Sequence, residues 1–163
     1  MDLREQPSDW AEAAETLVAF GAPLAAWRAH AHQPLEQALV TAFQRARTDA
    51  TLLRSLPVVL ALNWRRLDWT QLEQRATALG VLETLGMLVE LTAELAHLPE
   101  LAPRAERWWK PHAAASAFFV RRNAFDSELA EARTPRVARK WGFLMNLGED
   151  SFRSLLERHV DQV

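Results

Sequence analysis

LDWTQLEQRATALGVLETLGMLVELTAEL, Leu67 to Leu95, reads as two helices with one stop between them. The Asp68 side chain is placed to accept from the Gln71 amide, the start of a capping box. Trp69, Leu72, Ala76 and Leu79 then recur at the three-and-four spacing of one buried stripe. Gly80 supplies the left-handed residue that ends a helix. The second helix starts after almost no loop, so the two are expected to fold back as an antiparallel hairpin. Gly86 costs that helix some propensity and leaves room for another element to come close.

The same grammar extends outward. Ser8 or Asp9 caps a helix that stops at Gly21, with Trp10, Ala14, Leu17 and Val18 on one face. Pro23 opens a second segment, and Pro34 begins a helix that buries Leu35, Leu39, Ala42, Phe43 and Ala46. Asp49 starts a further turn or two. Ser55-Leu56-Pro57 is expected to restart the chain into PVVLALNW, apolar on nearly every side and so central. Pro99, Pro103 and Pro111 bound a short helix carrying Trp108 and Trp109, one expected inside and the other at least partly out. AASAFFVRRNAF fits either a helix or an extended segment. Thr134-Pro135 starts another helix that runs to Asn146 and Gly148, and Asp150 caps a last one with Phe152, Leu155, Leu156 and His159 inward. The sum is all-α: a compact multi-helix bundle of about seven or eight short helices, forming one domain over residues 1–163 behind a flexible tail at 1–7.

Composition agrees. The chain has no isoleucine, tyrosine or cysteine, while leucine, alanine, arginine and glutamate dominate. Absent cysteine excludes disulfides, thiolate nucleophiles and zinc–sulfur sites. There is no phosphate-cradling glycine motif and no G-x-S-x-G. No coherent catalytic set, cofactor motif or metal set emerges. MDLREQPSDWAEAAE is too polar for a signal peptide, and LPVVLAL is too short to span a bilayer. A cytoplasmic protein of bacterial type, with no membrane partner, is the expectation.

Charge is uneven. Residues 104–140 hold nine Lys/Arg against four acids, although the whole chain is at −2. This favours an anionic partner or an acidic surface on a second copy. Arg121, Arg122, Arg136, Arg139 and Lys140, with Phe143 and Trp109 as aromatic contacts, are the candidate binding residues, for a protein or a nucleic acid. On a helix from Pro135, Trp141 falls among core positions, whereas Phe143 falls among the cations and is expected to be covered by the following helix. The two helices around Asn146-Leu147-Gly148 have a helix-turn-helix outline, but the second begins Glu149-Asp150, which phosphates would repel.

Three further patterns carry less. His30 and His32 form an H-x-H with no carboxylate beside them in sequence. DWAEAAETLVAFG (Asp9–Gly21) and DWTQLEQRATALG (Asp68–Gly80) echo one another, as two similarly capped helices would. RSLLERH, Arg153 to His159, matches the loose Arg–His spacing of HEPN-superfamily ribonucleases and resembles them over those seven residues. The pair would sit about 120° apart on a straight helix.

NWRRLDWTQLEQRATALGVLETLGMLVEL (Asn63–Leu91) resembles the C-terminal helical part of abortive-infection (AbiEi-type) antitoxins, in which L-D-W-x-x-L, A-x-x-L-G and a Leu-rich helix follow one another. Residues 1–50 show no counterpart of their winged-helix half, and the paired-Asp motif of their nucleotidyltransferase partners is absent. The resemblance implies a binding, neutralising member rather than the enzyme. With no coherent catalytic set, and with charge and tryptophan concentrated in one segment, the leading expectation is a non-enzymatic interaction or regulatory module that binds a protein partner or itself through a helical surface including residues 104–140. A nucleic-acid binder using 104–140 and a HEPN-like ribonuclease are the alternatives.

Overall fold

The computed structural model describes residues 7–111, 116–118 and 124–160. It is an all-α fold. The helices are α1 (Pro7–Ala19), α2 (Leu35–Arg45), α3 (Ala50–Asn63), α4 (Trp69–Ala78), α5 (Leu82–Leu95), α6 (Ala102–Trp108), α7 (Ala124–Arg133), α8 (Arg136–Lys140) and α9 (Glu149–Val160). One 3₁₀ turn, Pro99–Leu101, leads into α6. The only sheet among the described residues pairs β1 (Ser116–Ala117) with β2 (Phe143–Leu144) in parallel. None of the described helices is long and apolar enough to cross a membrane.

Local chemistry sets the helix ends. Asp49 and Asp68 accept from the amides of Leu52 and Gln71, each at 3.0 Å, and so cap α3 and α4. Gly21, Gly80 and His97 take positive φ just past α1, α4 and α5. In each case the next amide bonds back five residues: Ala22 to Leu17, Val81 to Ala76, and Leu98 to Ala93. The echo between Asp9–Gly21 and Asp68–Gly80 thus ends in the same capping geometry, which α5 reproduces without glycine.

Helices α3 and α5 form the centre. Leu52, Leu53, Leu56, Val58, Val59 and Leu60 of α3, and Leu85, Met87, Leu88, Val89 and Leu91 of α5, are all buried. Around them α1 packs on α2, α2 on α4, α6 and α8 on α5, and α9 on α3. One apolar cluster runs from Ala13 to Leu156.

Four expectations are corrected. Ser55–Pro57 is no restart: α3 continues through Pro57, which forfeits only the bond to the Leu53 carbonyl while its neighbours are held by burial. Helices α4 and α5 are not each other's main neighbours, because α5 packs chiefly on α3 and α6 instead. Leu79 leaves the stripe of Trp69, Leu72 and Ala76 and is 52% exposed. The helix opened by Thr134-Pro135 stops at Lys140, where Gly142 turns left-handed (φ 81°) and releases Phe143–Leu144 into β2. Thr134 ties this turn. Its buried hydroxyl accepts from the Met145 amide at 3.0 Å and lies within donating distance of the Ala130 and Met145 carbonyls.

Candidate functional site

The basic segment folds against acidic partners. Along α5, Glu90 and Glu94 are one helical turn apart, and along α8 so are Arg136 and Lys140. The two helices meet with Arg136 paired to Glu94 and Lys140 to Glu90. The outer pair is exposed, but the Glu90 side chain retains only 10% of its accessible surface. Trp109 closes the ladder. Its indole N–H donates to the Lys140 carbonyl at 3.0 Å, and the Lys140 ammonium lies 5.7 Å from its ring. Arg107 is likewise engaged, with Glu73 at 2.6 Å.

The candidate residues therefore separate. Arg136 and Lys140 pair with α5, and Trp109, 37% exposed beside buried Trp108, contacts Lys140. Arg139 is exposed and makes no ion pair with the described residues. Phe143 is buried, with the Phe118 ring edge-on to it at 4.9 Å. Arg121 and Arg122 lie outside the described residues.

Behind Phe143 is a cleft of about 410 Å³ that the sequence did not announce. Four distant segments line it: Arg47 after α2, Gly80 to Thr84 at the α4–α5 turn, Ser116 of β1, and Trp141 to Phe143. Arg47 is its central cation. The guanidinium lies 4.4 Å from the Phe118 ring and 5.1 Å from the Phe143 ring, and donates to the Ser116 hydroxyl (2.5 Å) and the Ala117 carbonyl (2.9 Å). Burial among these groups pushes its pKa below the usual arginine value. No carboxylate pairs with it among the described residues. Trp141, 1% exposed, packs its six-membered ring into the space that Gly86 leaves on α5. Its buried indole N–H has no hydrogen-bond partner. Nothing in AFQRART marks Arg47 in sequence, since its partners lie 69 and 70 residues away.

The remaining patterns resolve simply. Glu15 reaches His32 at 2.8 Å, so the fold supplies the carboxylate that the H-x-H lacks in sequence. His30 stacks edge-on against His32, with ring centres 4.2 Å apart. Among the described residues, no group of three or more His, Asp or Glu side chains is arranged to hold a metal ion. Arg153 is engaged by Asp150 at 3.2 Å and Glu149 at 3.5 Å, and no hydrogen bond joins it to His159. Compared with known proteins, the chain gives no significant match to any family model, curated protein or solved structure.

Proposed function

We propose that the chain is a non-enzymatic, cytoplasmic regulatory module that docks a protein partner, or a second copy of itself, at the exposed end of α4. The observation that carries this reading is Leu79. By sequence spacing it belongs to the stripe of Trp69, Leu72 and Ala76, yet it caps the end of α4 and lies half in water beside a groove formed with Gln37, Val40, Thr41, Arg75 and Ala78. A leucine so placed gains burial when a partner covers it. The resemblance of Asn63–Leu91 to AbiEi-type antitoxins includes this helix and supports a neutralising role over a catalytic one.

The nucleic-acid reading draws less support, because two of its cations, Arg136 and Lys140, already face carboxylates. A phosphate would have to displace Glu94 and Glu90 before gaining either contact. The test is capture by the tagged full chain at low and high salt, with and without nuclease, beside the exposed-site variant Leu79→Glu. A protein or self-complex that survives salt and nuclease and is lost in Leu79→Glu is the expected result. Nucleic acid that leaves with salt, is lost in Arg139→Glu and ignores Leu79→Glu would overturn it. So would RNA cleavage that His159→Ala abolishes.

A further inference from the structure

The cleft behind Phe143 gathers hydrogen-bond donors that the protein itself leaves unused. Two independent features meet there. Arg47 brings a partly buried positive charge with no carboxylate partner among the described residues, and spends one terminal nitrogen on Ser116 and Ala117. The second feature is the N-terminus of α5, a helix of 14 residues. Its N-cap is Val81, whose side chain cannot accept, so the first-turn amides of Leu82, Glu83 and Thr84 receive no cap.

Each feature favours the same kind of guest. A helix start presents partial positive charge and free N–H groups. A guanidinium adds full charge and a planar donor set suited to oxyanions. The walls also include the apolar faces of Val81, Trp141 and Phe143, more than a bare ion requires. Glu83 is the one acidic side chain in the lining, and being exposed it opposes an anion only through a solvent-screened charge.

We propose that this cleft binds a small organic oxyanion, a carboxylate or phosphate monoester on a compact apolar body, held by Arg47 and the α5 N-terminus. The site is separate from the α2–α4 groove and does not depend on the docking reading.

The test is titration calorimetry of the full chain with benzoate, phenyl phosphate and inorganic phosphate as probes. At least one organic probe is expected to bind saturably and more tightly than inorganic phosphate, and the preferred head group identifies the class. Arg47→Gln should weaken that binding tenfold or more. Glu83→Gln, at an exposed position that leaves the fold intact, should strengthen it several-fold. Should Arg47→Gln fail to fold, the Glu83→Gln response and the rank order of probes still decide. No saturable binding of any probe up to about 10 mM overturns the proposal. Binding that is indifferent to Glu83→Gln, or no tighter for the organic probes than for inorganic phosphate, overturns it as well.

Discussion

Trp141 and Gly86 behave as one unit. The indole occupies the volume that a side chain at position 86 would need, and a Cβ there would clash with the nearest carbons of its six-membered ring. Gly86→Ala gains helix propensity of about 1 kcal/mol. It must also move a fully buried tryptophan, and such overpacking costs about 1–3 kcal/mol. We expect a net loss of stability in urea unfolding, together with a shifted tryptophan emission. Glu15 offers a pH test. The hydrogen bond from His32 is the largest influence holding its carboxyl below the usual range. A depressed folded value means that the contribution is present above the unfolded carboxylate pKa and is lost as pH falls through the folded one. Glu15→Gln should therefore lower the melting temperature at neutral pH, and the gap to the native chain should close in acid. Neither pairing was fully visible in sequence: Gly86 announced room for a contact but not its occupant, and the H-x-H lacked its carboxylate.

Among the elements, α8 is held by ion pairs as well as by apolar burial. Its five residues are too few to be stable alone. Val137 and Ala138 face inward, while Arg136 and Lys140 grip Glu94 and Glu90. The two pairs should contribute unequally. Arg136→Gln breaks an exposed pair and should cost under about 1 kcal/mol. Lys140→Met strands Glu90, one of whose oxygens is already buried without a partner, and should cost about 3 kcal/mol. Adding Glu90→Gln to Lys140→Met should recover much of that loss. Chemical denaturation of the native chain, Lys140→Met, Glu90→Gln and their double variant as the closing corner, with Arg136→Gln beside them, checks this. The cluster of cations was legible in the sequence. Its partners were not, because Glu90 and Glu94 lie 50 and 42 residues from the groups they bind.

For the whole molecule, a continuous apolar cluster links α1 to α9 through the central pair α3 and α5. Cooperative unfolding follows when no element can leave without exposing core shared with the others. We expect loss of helical circular dichroism and the change in tryptophan fluorescence to coincide along a urea titration. Two separate midpoints would mean that the segment bearing β1, α8 and β2 unfolds on its own. The Leu79→Glu variant should move this transition only slightly, since half of the residue already lies in water in the free chain, while abolishing capture of the docked partner.

By itself the sequence determined that this is a helical protein and where most helices start and stop. Those features depend on residues a few positions apart: Asp68 with Gln71, Gly80 with Ala76 and Val81, the stripe from Trp69 to Ala76. It also exposed the basic segment and the division of Trp108 from Trp109. Only the tertiary structure decided which helices became neighbours, that Pro57 stays inside α3, and that Phe143 leaves its helix to pair with β1. It alone turned Arg136 and Lys140 inward to α5 and assembled a cleft around Arg47 from four separate segments. Caps and periodicity are short-range and act through neighbours along the chain. Burial, ion pairing and cavity formation depend on which distant surfaces meet, and one sequence read alone carries no record of those meetings.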